Sequence, residues 1–491
     1  MATEPEPPGD PDTPRPTIAI AGATGFVGQA MRRELVSSHR VVGLTRSPSR
    51  ASMPDEDGVE WRLCDLFSVA DTERALEGVD YAVYLVHSML PSARLVQASF
   101  MDLDVLLADN FARAAARQAL RQILYLGGIQ PRVGRLSRHL RSRLEVEQTL
   151  SNRSTPVTSL RAGLIVGPGG SSMKMMVNLV RRLPIMVLPK WTEARSRPIA
   201  IDDVLRAARR TLGDPESFGH SFDIGGPDLL TYREMLERTA AVMGRRRIMF
   251  SVPIFSTTLS RRWVSWVSGA SDALVGPLIE SLRHSIVPDD NPLQDWLQRD
   301  AISFETALRR SIDEKGRALP NPRRQIRDQD DAYLEKARTV RSVQRLPLPA
   351  HRDARWVAEE YMRWLPRFIW ILLRCDVESD GRVRFSVRGT KICLLELSHA
   401  PERSEPDRQL FRITGGVLAR VSTAFRGRFE FREVLDRRWI IAAIHDFRPK
   451  LPWSLYSLSQ AIVHLWVMRS FGRHLRRIEA ESGTSDSPGP A

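Results

Sequence analysis

From Thr17 onward, short apolar segments alternate with longer amphipathic ones along the first part of the chain. Runs of β-branched and aromatic residues predict strands, and apolar residues at helical spacing predict helices between them. Because strands that alternate with helices form parallel sheets covered on both faces, the pattern predicts an α/β domain with a Rossmann-type doubly wound sheet. The predicted strands include TIAIA, HRVVGLTR, VEWRLCD, YAVYLVHS, QILYLGG and TSLRAGLIVG, and the predicted helices include QAMRRELVSS, VADTERALEG and Phe100–Ala119.

A different pattern follows Trp356, where consecutive segments alternate between apolar and polar residues. Such alternation is typical of antiparallel strands that bury one face. We therefore predict a smaller α+β domain with an antiparallel sheet and a C-terminal helix. Its strand segments are GRVRFSVRG, KICLLELSH, QLFRITGGVLA and GRFEFREVLDRRWIIAAIHDF.

The uncharged stretch Leu451–Met468 is just long enough to be compared with a membrane span. Pro452 and several polar side chains, among them Gln460 and His464, make it too polar for a span. We predict a helix packed on the sheet of the second domain. A helix on a membrane surface remains the alternative, because arginines follow directly at positions 469, 473, 476 and 477.

Composition divides the chain into five parts. Residues 1–16 are rich in proline without an apolar run, which predicts a disordered leader rather than a signal peptide. The α/β domain is assigned to residues 17–310 and the α+β domain to residues 351–478. Between them, residues 311–350 are rich in arginine, proline and aspartate and predict a linker. Residues 479–491 predict a disordered tail.

Length and charge narrow the classes of function. The 491 residues suffice for two or three domains, and the formal net charge of +14 predicts attraction to an anionic partner. Arginine makes up nearly all the basic residues and is scattered along the chain, so no nucleic-acid site is predicted. The three cysteines form no CxxC motif, which argues against a disulfide framework and a cysteine zinc site. We expect a cytoplasmic protein, with a location at the inner membrane face as the alternative.

The strongest chemical signal is the glycine turn GATGFVG, which directly follows the strand TIAIA and precedes a helix. Gly22 permits the tight turn, Gly25 lets a pyrophosphate approach the backbone, and Gly28 permits close helix packing. The N–H groups at the helix N-terminus would face the phosphates. The motif predicts a dinucleotide site, and its cofactor-binding residues are Gly22, Thr24, Gly25, Phe26, Val27 and Gly28.

The second strand indicates which nicotinamide cofactor binds. NAD sites usually place a carboxylate about 20 residues after the glycine turn, and Thr45 and Arg46 stand there instead. Arg46, assisted by Ser47 and Arg50, would bind a 2′-phosphate, so NADP(H) is predicted over NAD(H). Asp65 and Leu66, after the third strand, are expected at the adenine end.

Several motifs together resemble the atypical extended short-chain dehydrogenase/reductases, the NAD(P)-binding group that includes NmrA-like and complex I accessory-subunit-like proteins. The resemblance spans about Thr17 to Leu308. The region from Trp356 to Arg477 resembles a C-terminal domain of unknown function found in a bacterial subgroup, thought to have a START/SRPBCC helix-grip fold. The motifs are TIAIAGATGFVG, LVHS (Leu85–Ser88), YLGG (Tyr125–Gly128), RAGLIVGPG (Arg161–Gly169), RPIAIDDV (Arg197–Val204) and FDIGGPDLLTYREM (Phe222–Met235).

The resemblance implies a catalytic Ser, Tyr and Lys, and this sequence departs from all three. Gly127 and Gly128 end the strand where the serine is expected, and His139 and Arg143 occupy the Tyr-x-x-x-Lys spacing. These two would lie on one helix face and are the candidate catalytic residues, as proton donor and cofactor clamp. His87 and Gly127, at the carboxyl ends of strands, are predicted to line the cofactor cleft.

Hydride transfer to a quinone needs no protein acid, because the acceptor can take its proton from water. The sequence therefore predicts a NAD(P)H-dependent oxidoreductase acting on a quinone or another small apolar molecule. A non-catalytic NADP(H) sensor or assembly factor is one alternative, and a peripheral membrane or lipid-handling protein is another. No metal site is predicted, since the Asp202–Asp203 pair suits a helix cap, and no oligomeric state is predicted.

Overall fold

The computed structural model describes residues 15–52, 58–87, 95–131, 136–252, 284–320, 340–379, 381–421, 427–450 and 460–484. They form two compact units. The first contains the described residues up to His87 and those between Asn110 and Asp328, and the second contains the described residues between Ser88 and Asp109 and those after Gln329. Most of the predicted leader and the last seven residues of the predicted tail lie outside the described residues.

The strands and helices are numbered here in chain order. The strands are β1 (Thr17–Ala21), β2 (Arg40–Thr45), β3 (Val59–Leu63), β4 (Tyr81–Tyr84), β5 (Leu95–Gln97), β6 (Gln122–Gly128), β7 (Val157–Ala162), β8 (Ile165–Val166), β9 (Ile185–Pro189), β10 (Arg195–Ser196), β11 (Ile199–Ala200), β12 (Ser221–Ile224), β13 (Leu230–Thr231), β14 (Ile248–Val252), β15 (Val340–Pro347), β16 (Leu373–Val377), β17 (Arg382–Val387), β18 (Cys393–His399), β19 (Arg408–Gly415), β20 (Arg428–Val434) and β21 (Trp439–Phe447). The helices are α1 (Phe26–Leu35), α2 (Pro48–Ala51), α3 (Val69–Ala75), α4 (Phe100–Arg117), α5 (Arg138–Ser151), α6 (Ser171–Arg182), α7 (Ile201–Thr211), α8 (Tyr232–Val242), α9 (Pro292–Gln298), α10 (Phe304–Arg309), α11 (Ala354–Phe368) and α12 (Gln460–Thr484).

The first unit is built on seven of these strands, all parallel, in the order β12-β7-β6-β4-β1-β2-β3. Its central strands are nearly continuous apolar runs, as expected for strands buried on both faces. Ile18 and Ile20 of β1 are fully buried among side chains from α1 and α7. The predicted doubly wound sheet is confirmed. Its strand order reverses between β1 and β4, where such sheets bind ligands.

The second unit contains eight strands of the described chain in the order β16-β17-β18-β19-β20-β21-β15-β5. Neighbours are antiparallel, except that β5 pairs in parallel with β15. Alternate residues of β20, Phe429 and Phe431, pack on Tyr361 of α11, which also contacts Phe471 of α12. The prediction of an antiparallel sheet with a C-terminal helix is therefore confirmed.

The limits of the second unit differ from the predicted boundaries. Ser88–Asp109, inside the predicted first domain, belongs to the second unit because β5 extends its sheet. Ion pairs hold the same segment, from Asp102 to Arg345 and from Asp109 to the fully buried Arg432, each at 2.7 Å. The division between the units falls within α4.

Two further segments differ from their predicted assignments. Part of the predicted linker 311–350 is strand β15. This segment is a strand because it pairs along its length with β21. Residues 479–484 continue α12 instead of starting a disordered tail. The first half of Leu451–Met468 lies outside the described residues, and its second half belongs to α12. Among the described helices, none is long and apolar enough to cross a membrane.

Candidate functional site

The glycine turn between β1 and α1 has the backbone geometry that only glycine readily adopts. Gly22 has φ +90°, and a Cβ there would lie 3.2 Å from the Cβ of Leu85, which follows β4. The N–H of Gly25 donates to the Gly22 carbonyl oxygen at 2.9 Å and closes the turn. The turn is thus pressed against the neighbouring strand at the point where the strand order reverses.

Gly28 brings α1 against the turn. A Cβ at this position would lie 2.2 Å from the Gly22 oxygen, far inside van der Waals contact. Gly25 is the N-cap residue of α1 and supplies no side-chain cap, and the first helical turn carries no acidic residue. The first N–H groups of the helix and its positive dipole end are therefore left to an external acceptor. This cradle of backbone donors fits the pyrophosphate of a dinucleotide.

The remaining residues of the turn hold its conformation through a hydrogen bond and packing contacts. The Thr24 carbonyl oxygen accepts a hydrogen bond from the Gln29 side chain at 3.2 Å, and Val27 packs on the core of the unit. The ring of Phe26 meets two glycines of the GLIVGPGG segment. A Cβ on Gly167 would lie 3.0 Å from this ring, and one on Gly170 would lie 3.4 Å from it.

The end of β2 carries polar and basic groups. Arg46 is exposed, and Ser47 accepts the N–H of Arg50 to cap the short helix α2. The Arg50 guanidinium lies 4.8 Å from the centre of the Trp61 ring. The sequence between Arg40 and Ser52 contains no carboxylate. NAD sites usually place a carboxylate here to bind the ribose hydroxyl, and this segment has none. The preference for NADP(H) stays a prediction.

Asp65 and Leu66 lie in the loop after β3. The Asp65 carboxylate accepts the N–H of Phe67 at 3.2 Å, and the Leu66 carbonyl oxygen accepts from the Asn110 side chain at 2.8 Å. These contacts stabilise the loop at the carboxyl edge of the sheet. The assignment of both residues to the adenine end stays a prediction.

His87 follows the carboxyl end of β4, and Gly127 lies at the carboxyl end of the neighbouring strand β6. His87 is exposed after β4, which pairs with β6, the strand that ends in Gly127 and Gly128. A Cβ on Gly128 would lie 3.1 Å from Leu140 of α5, and one on Gly127 would lie 2.9 Å from the Tyr125 ring. Glycine therefore replaces the expected serine where α5 packs closely on the sheet.

Helix α5 presents His139, Arg143 and Glu147 at successive fourth positions, which share one helix face. Arg161 of β7 donates to both carboxylate oxygens of Glu147, at 3.0 and 2.5 Å, and Ser221 of β12 donates to it at 2.7 Å. The Tyr125 hydroxyl donates to the Arg143 carbonyl oxygen at 3.1 Å. These bonds fix the helix that carries the two candidate catalytic side chains.

Burial and, as a smaller cause, the nearby positive charge of Arg143 together lower the pKa of His139 to about 3. The imidazole is consequently neutral at physiological pH. It can donate a hydrogen bond from one nitrogen but does not carry the extra proton of an imidazolium. The catalytic role of His139 and the cofactor contact of Arg143 stay predictions, and the neutral ring limits the first to hydrogen bonding.

Two supporting interactions were missed by the sequence analysis. The contact of Phe26 with Gly167 and Gly170 joins segments about 140 residues apart, and no local pattern reports it. The Glu147–Arg161 pair could have been found in part, because Glu147 continues the helical spacing of His139 and Arg143.

A family model matches the region that contains the glycine turn. Residues 22–169 match a family model described as NAD(P)H-binding. Auxiliary protein GraX of Staphylococcus aureus is 28% identical over 114 residues, which cover 23% of this chain and 37% of that protein. The chain thus spans little more than a third of the length of the curated relative it matches.

Solved structures are similar at low identity. The Citrobacter sp. triphenylmethane reductase complexed with NADP(H) has a TM-score of 0.48 and 15% identity, covering 60% of this chain and all of that one. The NADPH-dependent quinone oxidoreductase of Escherichia coli complexed with NADPH has a TM-score of 0.47 and 17% identity, covering 59% of this chain and 98% of that one. The similarity that bears on the site is that of residues 22–169 to NAD(P)H-binding proteins.

Proposed function

We propose that this protein binds NADP(H) and reduces a small apolar acceptor, with quinones as the first candidates. One observation carries the proposal. A dinucleotide turn closed by Gly22, Gly25 and Gly28 adjoins a β2 end that has Arg46 where NAD sites have a carboxylate. The match of residues 22–169 to the NAD(P)H-binding family model supports the same cofactor class.

Different groups of the protein would bind different parts of the cofactor. The N–H groups at the start of α1 would hold the pyrophosphate, and Arg46, with Ser47 and Arg50, would hold the 2′-phosphate by charge-assisted hydrogen bonds. His87 and Gly127 would border the nicotinamide end, because their strands end beside each other. When bound, NADPH supplies a hydride.

The two candidate catalytic residues of α5 suit a hydride acceptor that does not need a proton from the protein. His139 is neutral and Arg143 keeps its charge, so neither readily releases a proton near pH 7. Hydride transfer converts a quinone to the hydroquinone anion, which takes its one remaining proton from water, whereas ketone reduction gains from a protein acid. The chemistry of these residues therefore favours a quinone over a simple ketone as the hydride acceptor.

The second candidate function is a non-catalytic NADP(H) sensor. The glycine pair Gly127–Gly128 and the neutral His139 favour it, because together they replace the residues that would activate a substrate. Such a protein would bind the cofactor through the same turn without consuming it.

For the second unit we propose a helix-grip fold, supported by its antiparallel sheet and the packing of α11 and α12 on one sheet face. The aromatic contacts among Tyr361, Phe429, Phe431 and Phe471 occupy the space between these elements. A structure of the second unit solved by crystallography, compared with helix-grip proteins, tests this assignment.

One experiment separates the two candidate functions. NADPH and NADH are titrated into the purified protein by calorimetry, and NADPH oxidation is then followed at its nicotinamide absorbance with a panel of quinones. An oxidoreductase binds NADPH more tightly than NADH and oxidises it in the presence of at least one quinone. A sensor shows the same binding preference without oxidation, and absence of NADPH binding contradicts both functions.

A further inference from the structure

One end of the second unit's sheet brings together segments that are distant in sequence. The turn between α11 and β16 is bonded to the β17–β18 hairpin, where the Arg388 N–H donates to the Leu372 carbonyl oxygen at 2.9 Å. The loop after β19 joins the same end, because the Val417 N–H donates to the Cys393 oxygen at 3.0 Å. The segment after β21 reaches it through the Lys450 N–H and the Leu418 oxygen, 3.1 Å apart.

This end of the sheet exposes large apolar side chains. Trp370, Ile371 and Leu372 are consecutive in the turn, and they are 61%, 72% and 59% exposed. The start of α12 lies beside them, since the Trp466 and Phe368 ring centres are 4.7 Å apart. Soluble proteins rarely leave adjacent residues of this size in water without a binding function. We call this surface the apolar end, and define it by the exposed Trp370–Leu372, Ile392, Val417, Ile462 and Trp466.

Cations adjoin the apolar end. Arg388 and Lys391 are exposed in the β17–β18 hairpin, which also presents Ile392. An open groove of about 460 Å³ lies next to Val417, and its cationic lining consists of Arg420, Arg448 and Lys450. The other lining residues are uncharged, so the described lining of this groove contains no carboxylate.

The groove holds its cations close together. The backbone N–H of Arg420 donates to the backbone carbonyl oxygen of Arg448 at 2.8 Å, which brings the two residues together. The Lys450 ammonium donates to the Gly416 carbonyl oxygen at 3.2 Å. Partial burial and the charge of Arg420 lower the pKa of Arg448. A bound anion would offset the repulsion between like charges held in one groove, and phosphate suits arginine because the guanidinium can donate two parallel hydrogen bonds to it.

We propose that the apolar end is a docking surface for a bilayer that contains anionic phospholipids. Trp370, Ile371 and Leu372 would enter the interfacial region, where tryptophan is favoured because it combines an apolar ring with an N–H donor. The groove of Arg420, Arg448 and Lys450 would bind a lipid phosphate at the same depth. Anionic headgroups complement these cations, and acyl chains complement the apolar side chains.

The combination favours a bilayer over a protein partner. A protein partner would need an apolar face and separate acidic side chains placed to match both the apolar residues and the cationic groove. A bilayer satisfies both features because apolar and anionic layers lie next to each other at its surface. This inference does not rest on the proposed cofactor or substrate.

Vesicle co-sedimentation of the full-length protein tests the proposal. The wild type is mixed with phosphatidylcholine vesicles with or without phosphatidylglycerol. Binding is expected to the anionic vesicles, with a steep loss as salt is added, because exposed charges are screened. Absence of binding to anionic vesicles at low salt overturns the proposal.

Three variants assign the binding to the surface. The double variant Trp370→Ser with Ile371→Ser should lose at least about tenfold in vesicle affinity, since the interfacial anchors are removed. Arg420→Gln with Lys450→Gln should lose roughly fivefold per cation on anionic vesicles only. Phe250→Ser, at a 55% exposed apolar position of the first unit, is the matched control and should bind as the wild type does. An equal loss in the control overturns the assignment.

Two further measurements keep the outcome unambiguous. Thermal unfolding checks that each variant is folded, and the exposed positions of Trp370 and Ile371 predict little change. Size-exclusion chromatography detects self-association. One outcome would show that the apolar end is a protein interface, and the proposal would then fail. In that outcome the wild type is oligomeric and does not bind vesicles, and the double variant Trp370→Ser with Ile371→Ser is monomeric.

Discussion

The glycine turn of the first unit presents backbone groups, whereas the apolar end of the second unit presents side chains. In the turn, Gly22, Gly25 and Gly28 act by lacking side chains, which leaves backbone N–H groups at the surface. At the apolar end, large side chains act, and the backbone only brings their segments together. A site made of backbone needs fixed local spacing, whereas a surface made of side chains can collect them from anywhere in the chain. The two therefore differ in how far sequence reveals them and in how they respond to mutation.

The largest expected effect comes from Gly28→Ala in the turn. The new Cβ would lie 2.2 Å from the Gly22 oxygen, so α1 has to move away from β1. We expect a loss of about 3 kcal/mol in the free energy of unfolding, at the upper end for overpacking. Urea denaturation followed by circular dichroism measures it.

Gly25→Ala is the matched control in the same turn. Its Cβ would lie 3.2 Å from the Gly22 oxygen, a contact that a shift of a few tenths of an ångström relieves. We expect a smaller loss of stability for this variant, together with weaker NADPH binding. Equal stability of the Gly28→Ala variant and the wild type would contradict the packing described for α1.

Residues near in sequence account for what could be predicted. The β1–turn–α1 unit follows from an apolar strand and three glycines within a few positions, and the shared helix face of His139 and Arg143 follows from their spacing. Both are local, so neither depends on knowing the rest of the fold.

Long-range pairing accounts for what could not be predicted. Strand β5 pairs with β15, about 245 residues later in the chain. The polar residues Arg341, Ser342 and Gln344 make the sequence of β15 resemble a linker. The run Trp370–Leu372 would be assigned to a core from sequence alone, and only the fold leaves it exposed. Tertiary context overrides local pattern at these places.

A pH-dependent effect of intermediate size is expected in the second unit. Burial lowers the pKa of His464 to about 4, and its Nε2 lies 3.0 Å from the Ser342 hydroxyl. The unfolded chain binds this proton near pH 6.5, so stability is complete above that pH and is lost as pH falls toward 4. This one group should cost about 2 kcal/mol between pH 7 and pH 5.

The measurement compares the wild type with His464→Gln in urea denaturation at the two pH values. The variant keeps a hydrogen-bonding group but does not titrate, so its stability should fall less on acidification. His220→Gln, at an exposed site of the first unit, is the control for loss of an imidazole. If wild type and His464→Gln lose the same free energy, His464 is not buried in its neutral form.

A smaller effect on binding is expected from Arg46→Ala in the first unit. If Arg46 binds the 2′-phosphate, NADPH affinity should fall by about 1.5 kcal/mol or more, roughly tenfold at least, and NADH affinity should stay unchanged. Calorimetry with both cofactors measures the difference. Arg33→Ala, on the adjacent helix α1, serves as a control for loss of a positive charge. Equal losses for NADPH and NADH would show that Arg46 supports the loop and does not bind the phosphate.

The smallest effect, near zero, is expected for His139→Gln, and it separates a fixed scaffold from a proton donor. An imidazolium donor with an ordinary pKa near 6.5 would make the rate fall as pH rises through that value. Because the pKa of His139 is about 3, the ring is already neutral throughout pH 5 to 8 and contributes no such pH dependence. With a quinone acceptor, His139→Gln should therefore keep kcat within about twofold and leave the pH profile unchanged.

The same prediction can be tested without turnover, by following the His139 ring signals in nuclear magnetic resonance as pH changes. The signals should not shift between pH 5 and pH 8 in the wild type. Arg143→Ala removes one of the two causes of the low pKa, so the onset of His139 protonation should move upward toward the ordinary range while burial still holds it low. A wild-type titration centred near pH 6.5 would contradict this and restore His139 as a candidate imidazolium donor. In that case α5 would take part in proton transfer, and the site would depend on a side chain as well as on the backbone of the glycine turn.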